Sequence, residues 1–207
     1  MLIDIHTHTN RYSACSVLSP VDLVDRALTL GLSGIAITEH NIMWAEREVK
    51  ELKAATGAEE LLILRGREVA ASIGHLLIFG YYDELLENSP VEGILEKVHE
   101  KGGIVILAHP FRSRNTSREI PNAPEGRFAC VDAVEVFSGN HTSDQNEYCR
   151  QICETFGLVG VGGSDAHSVD MVGKYLTSFS VTIMDEDDLI SEIGAGRCRP
   201  IVYRLEG

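Results

Sequence analysis

Leu2-Ile3-Asp4-Ile5-His6-Thr7-His8-Thr9 is the stretch on which the fold turns. A short apolar run ending in His-x-His reads as a strand with two imidazoles on one face, because side chains along a strand alternate with period two. Such a pair suits one metal ion, and it gains meaning only if other strands deliver ligands to the same place. Ser19-Pro20 then offers an N-cap and a first-turn proline for a helix with apolar positions at Val21, Leu23, Val24, Ala27, Leu28 and Leu30, up to Gly31. Gly34-Ile35-Ala36-Ile37-Thr38 has the continuous apolar character of a buried parallel strand and leads into Glu39-His40-Asn41.

The same alternation continues down the chain. A helix is expected over residues 44 to 55, then a strand over 61 to 68 ending in Glu68. The short link past His75 to Leu76-Leu77-Ile78-Phe79-Gly80 predicts a hairpin. Pro90 opens a helix that stops at Gly102-Gly103, and Ile104-Val105-Ile106-Leu107-Ala108 runs into His109-Pro110. Residues 111 to 128, with Arg112, Arg114 and Arg118 but no periodicity, read as a long loop over the strand ends. A strand over 133 to 137, a helix over 143 to 156 and a strand over 158 to 162 follow, the last ending in Gly163-Ser164-Asp165-Ala166-His167. A final strand near 178 to 183 and a helix over 186 to 193 complete the pattern. The class is therefore α/β with a mainly parallel sheet, and a closed or nearly closed barrel would bring the strand ends to one rim.

Composition narrows the function. The 207 residues, 44% hydrophobic, suit one domain over 1–207. A net charge of −13 argues against a broad surface for long nucleic acid, which depends on clustered Lys and Arg. No basic-then-apolar leader opens the chain and no apolar run reaches the roughly 18 residues of a membrane span, so no membrane partner and a cytoplasmic enzyme are expected. The five cysteines form no Cys-x-x-Cys pair and are expected to be reduced, mostly as core filler.

His6, His8, His40, Glu68, His75, His109, Asp165 and His167 all fall at or beside strand ends, whereas His99 and His141 read as scattered polar positions. Any one strand-end histidine could simply bond a backbone carbonyl; eight candidates together exceed the needs of one ion and imply at least two. Nitrogen-rich coordination favours Zn, Mn, Fe or Co over Mg.

In this order, Asp4-Ile5-His6-Thr7-His8-Thr9, Ile37-Thr38-Glu39-His40-Asn41, Gly66-Arg67-Glu68, Ala108-His109-Pro110 and Gly163-Ser164-Asp165-Ala166-His167 resemble the motifs of the PHP (polymerase and histidinol phosphatase) family. The resemblance covers essentially the whole chain. It implies a distorted (β/α)7 barrel of PHP type holding two or three divalent transition-metal ions and usually hydrolysing phosphoesters. By matching positions it places His6, His8, Glu68 and Asp165 on one ion, Glu68, His75 and His109 on a second, and His40 and His167 on a third. Two departures stand out: Ser13-Ala14-Cys15-Ser16 replaces a usual third-ion ligand, leaving Cys15 as a soft substitute or a packing residue, and Glu39 replaces the usual aspartate.

The expected activity is hydrolysis of a small phosphomonoester, or of a cyclic or bisphosphorylated nucleotide, by a metal-activated hydroxide. Asp165 is the catalytic carboxylate, Arg112 the clamp on developing phosphoryl charge, and Arg112, Arg114 and Arg118 the substrate-binding set. Asp4 and Glu135 are candidates to orient the ligands. The rival readings are an amidohydrolase-type C–N hydrolase, which usually needs a metal-bridging lysine not evident here, and a non-catalytic metal-stabilised module.

Overall fold

The alternating pattern folds, in the computed structural model describing residues 1–85, 89–112 and 126–203, around one sheet. The elements in chain order are β1 (Leu2–Thr7), α1 (Pro20–Thr29), β2 (Gly34–His40), α2 (Glu46–Thr56), β3 (Leu62–Ala71), β4 (Gly74–Phe79), α3 (Val91–Glu100), β5 (Ile104–Leu107), α4 (Gly126–Ala129), β6 (Ala133–Ser138), α5 (Ser143–Phe156), β7 (Gly160–Gly163), β8 (Tyr175–Phe179), α6 (Glu186–Gly194) and β9 (Cys198–Val202). Helix ends follow the local chemistry: Ser19 Oγ accepts the Asp22 N–H at 3.1 Å with Pro20 at the first turn, and Gly57 closes α2 at φ 66.

The strand order is β7-β6-β5-β4-β3-β2-β1-β8-β9. The two distant members β7 and β1 meet at the rim, where Thr7 bridges Ala166 and the His8 N–H donates to Ala166 O at 2.9 Å. Seven strands thus make a nearly closed, distorted barrel, and the antiparallel pair β8 and β9, joined through α6, extends the wall beyond β1. The mainly parallel expectation needs correcting. β3/β4 and β4/β5 are antiparallel, as are β1/β8 and β8/β9, so the sheet is mixed. The link between β3 and β4 is too short for a parallel crossover, which takes a dozen residues or more, so the chain turns straight back as a hairpin. The last predicted strand also shifts to β8, and β9 was not anticipated: Arg199 and Pro200 interrupt its apolar run, and proline is tolerated on an edge strand.

Packing is layered. Ile35, Ile37 and Ile63 face α1 and α2, while Ile78, Val105, Leu107 and Val134 face α3 and α5. Ile3, Ile5, Ala36, Leu64, Leu77 and Ile106 form an inner cluster. On β3 and β2 that inner face also carries Glu68 and His40, four residues along from Leu64 and Ala36. On β1 the parity is wrong, since Ile3 and Ile5 are odd and His6 and His8 even. The mismatch is absorbed by a bulge: Ile3 and Asp4 pair with Gly34 and Ile35, but Thr7 pairs with Ile37. One extra residue re-aims the strand, so that the isoleucines fill the barrel and the histidines still reach its mouth.

Candidate metal centre

The site is assembled from residues that follow or interrupt strands. Three non-glycine residues among those described have positive φ: Asn41 (61°), His109 (25°) and Asp165 (46°), after β2, β5 and β7 respectively. Such conformations cost of order 1–3 kcal/mol each, and here they sit where the chain leaves the barrel wall at the cluster.

Glu68 and Asp165 lie at the centre, both buried. Glu68 Oε1 is 2.8 Å from His109 Nε2 and 2.9 Å from His75 Nδ1, and Oε2 is 2.9 Å from His40 Nδ1 and 3.4 Å from His8 Nε2. Asp165 Oδ1 lies 3.3 Å from His6 Nε2 and 3.1 Å from His8 Nε2. Four trios, His6/His8/Glu68, His6/His109/Asp165, Glu68/His75/His109 and His8/His40/His167, each offer ligand atoms within 4.8 Å of one another. All eight sequence-selected positions are therefore in one place. Glu68 is not at a strand end but inside β3, paired with Leu77, and His75 is the second residue of the returning strand; the hairpin brings both together beside His109.

Hydrogen bonds around the cluster leave lone pairs pointing inward. A carboxylate can only accept, so the contact of His6 Nδ1 with Glu135 Oε1 at 2.9 Å puts a proton on Nδ1 and turns Nε2 to the centre. His167 Nδ1 likewise donates to Asp165 O at 2.9 Å, which leaves its Nε2 as the ligand atom. Glu135 Oε2 also accepts the His109 N–H at 2.8 Å. Glu135 thus fixes the His6 ring and holds the His109 backbone. Asp4 acts differently, accepting the Ser164 and Gly173 N–H groups, both at 2.9 Å, and so fixing the turn before Asp165.

Metal ions fit this set. Glu68 Oε2 and Asp165 Oδ1 are buried and accept no well-formed hydrogen bond among the described residues, even though imidazole nitrogens crowd them. His6 Nε2 and His8 Nε2 face each other at 3.0 Å, a contact that needs a proton or a cation between them. Buried carboxylates without such compensation are costly. The proton equilibria respond accordingly. Burial pushes the His6 pKa down, but Asp165 and Glu135 outweigh it and hold it well above the usual value; burial lowers His8 to about 4 against its bond to Asp165. Burial also opposes ionisation of Glu68 and Asp165, yet the surrounding imidazoles keep both carboxyls well below the usual range.

The two departures from the family pattern have structural answers. Glu39 is buried and binds the loop after β1: it accepts the Thr9 N–H at 3.1 Å, the Ser13 hydroxyl at 2.5 Å, the Thr9 hydroxyl, and the Trp44 Nε1–H at 3.1 Å. Cys15 is exposed, which corrects the packing expectation: Ser13 and Ser16 turn inward instead. Cys149 and Cys153 are buried and all five cysteines are free.

Arg112 is exposed and lines a cavity of about 340 Å³ together with His75 and His109. Arg114 and Arg118 lie outside the described residues. His99 pairs with Asp132 at 2.9 Å on the surface. His141, read as a scattered polar position, is instead buried: its Nε2 accepts the Phe111 N–H at 3.0 Å and its Nδ1 lies 3.1 Å from Asn146 Oδ1. Gln145 donates to Phe111 O at 2.9 Å while its own oxygen caps α5 through the Thr142 N–H. Asn140 donates to Asp165 Oδ2. Nothing in local periodicity marks these supports, because each acts on backbone or side chains distant in sequence.

Against known proteins, the PHP domain family model matches residues 4–120, and a PHP-associated model matches residues 144–198. An uncharacterized protein of Methanocaldococcus jannaschii is 29% identical over 194 residues, covering 91% of this chain and 75% of its own. Among solved structures, a two-domain Bacteroides vulgatus protein, described as containing a predicted PHP-like metal-dependent phosphoesterase, superposes with TM-score 0.75 at 18% identity. That match covers 98% of this chain, which spans 65% of the Bacteroides protein. The lesion-specific endonuclease PfuEndoQ of Pyrococcus furiosus superposes with TM-score 0.63 at 18% identity over 94% of this chain and 56% of its own.

Proposed function

Because the chain belongs to the PHP domain family, we propose that it hydrolyses a small phosphoester with the help of bound divalent metal ions. The observation that carries this reading is the convergence of six imidazoles on two buried carboxylates, each with one oxygen that accepts no hydrogen bond among the described residues, beside a cavity lined by Arg112. His6, His8, Glu68 and Asp165 would hold one ion and Glu68, His75 and His109 a second, while His8, His40 and His167 offer a place for a third. Bound there, divalent ions supply an acidified water and positive charge for the phosphoryl oxygens.

The chain's own residues do the rest. Glu135 keeps the Nε2 lone pair of His6 aimed inward, and Asn140 orients Asp165. Arg112 meets developing negative charge on the phosphoryl oxygens. A small substrate fits the acidic chain, which offers little positive surface for a polynucleotide backbone. No described helix is long and apolar enough to cross a membrane.

The test is a screen of phosphomonoesters, cyclic and bisphosphorylated nucleotides, oligonucleotides, long single strands and amides, run with metal analysis of the purified protein. The reading expects at least two transition-metal ions per chain and hydrolysis of a small phosphoester that His109→Ala or Asp165→Ala abolishes. Higher kcat/KM on long strands than on every small ester would overturn the substrate assignment and point to endonuclease chemistry. Turnover of amides alone would overturn the reaction class.

A further inference from the structure

Each imidazole of the His-x-His pair turns one nitrogen to the cluster, and the partner of the other nitrogen decides where the proton sits. For His6 that partner is Glu135. For His8 it is Ser13, whose Oγ lies 3.3 Å from Nδ1. A hydroxyl can donate to a ring nitrogen or accept from it, so its remaining contacts settle the direction. Ser13 is buried, and its Oγ has two further partners: it donates to Glu39 Oε2 at 2.5 Å and accepts the His40 N–H at 3.3 Å. Glu39 is also buried and ringed by donors. It accepts the Thr9 backbone N–H and the Trp44 indole N–H, both at 3.1 Å, together with the Thr9 hydroxyl, whose own oxygen accepts the Arg11 N–H at 3.3 Å. A carboxylate only accepts, so the one proton of the Ser13 hydroxyl goes to Glu39. Two lone pairs remain on the oxygen, one for the His40 N–H and one for His8.

We propose that Ser13, oriented by Glu39, is the positioning residue for His8, accepting from Nδ1–H and thereby leaving the Nε2 lone pair for a metal ion. This rests on the reading of His8 as a ligand and deepens it. Nε2 is the atom already turned to the cluster, 3.1 Å from Asp165 Oδ1 and 3.4 Å from Glu68 Oε2. The arrangement parallels that of Glu135, which bonds the His6 ring and the His109 backbone, while Ser13 bonds the His8 ring and the His40 backbone. A ring fixed in advance avoids the ordering cost that a mobile one would incur on binding. Because all of its hydrogen-bonding capacity is used, the Ser13 hydroxyl holds a ligand rather than acting as one.

Two readouts test this, neither of which needs turnover. Long-range 1H–15N NMR of the Zn2+-loaded wild type should show His8 protonated on Nδ1; a His8 proton on Nε2 overturns the proposal, and no variant is needed to see it. Competition with a chromophoric chelator then gives Zn2+ affinity for wild type, S13A, H8A and the double variant. Ser13→Ala should weaken binding ten- to a hundredfold in the wild-type background, the usual scale for losing a ligand's hydrogen-bond partner, but by less than threefold once His8 is gone. An equal loss in both backgrounds would mean that Ser13 only ties the loop to the His40 backbone, which also overturns the proposal. Should a variant fail to fold, the wild-type spectrum decides alone. A protein that hydrolyses no phosphoester loses the phosphoesterase reading and leaves both readouts standing. A wild type that takes up no Zn2+ overturns the metal centre and this role with it, whereas a bound ion with the His8 proton on Nε2 overturns the role of Ser13 only.

Discussion

Replacing Glu135 with glutamine changes one oxygen to an amide nitrogen at a buried position that touches both halves of the cluster. The wild-type carboxylate accepts from His6 Nδ1 at 2.9 Å and from the His109 N–H at 2.8 Å. A glutamine side chain has one accepting oxygen, so one of these donors must face an NH2 group. If the oxygen stays on His109, His6 avoids a donor–donor clash only by moving its proton to Nε2, which blocks the inward lone pair. If the oxygen turns to His6, the His109 backbone loses its partner. Bulk water does not reach the site to substitute, since Glu135 is 0% exposed. Loss of a ligand-orienting partner typically costs 10- to 100-fold in metal affinity, or about 1.4–2.7 kcal/mol, and the upper end is expected because one carboxylate serves two ligand residues. An opposing effect exists: removing the charge weakens the proton's hold on His6, which helps metal compete as pH falls. The deficit should accordingly be larger at pH 8 than at pH 6.5. Competition of Zn2+ or Mn2+ against a chromophoric chelator measures it, with the thermal melt as a check on folding. A dissociation constant within twofold of wild type at pH 8 would refute the orienting role.

Arg112→Ala should lower kcat/KM by about 100-fold without changing metal content, the scale of losing one charge-stabilising donor; an unchanged rate would show that Arg112 is only a solvated loop charge. Gly163→Ala should impair both metal uptake and stability, because its Cβ would lie 2.5 Å from His6 Cβ and 2.6 Å from Glu135 Oε1; a variant with wild-type affinity and melting temperature would contradict the packing. The proton on His6 makes metal binding pH-dependent. Its folded pKa is raised, so in metal-stripped protein its contribution to stability is present below the unfolded value of 6.5 and lost as pH rises through the folded value, whereas metal affinity increases over that same rise. Calorimetry at pH 7 in buffers of different ionisation enthalpy should show about one proton released on loading this site, and none released would disprove the assignment.

The sequence by itself determined the chemistry of the site. Glu39-His40, His109-Pro110 and Asp165-x-His167 stand at the ends of apolar runs, and a run of that kind becomes a strand wherever it lies, so the positions that converge in the cluster were legible from local pattern alone. Local pattern also sufficed for the β3–β4 hairpin, because a short link leaves no other route. It failed where residues act across the chain. β9 could not be read because its stability comes from pairing with β8 rather than from its own residues. His141 lies in a polar turn, yet it is buried because its ring sits between the Phe111 backbone N–H and Asn146 of α5. Period two placed His6 and His8 on one face but could not say which face, and taken literally would have put them opposite Ile3 and Ile5. Only the paired strands decide that, by admitting one extra residue in β1: a bulge is a property of two strands in register, and no single strand's sequence contains it.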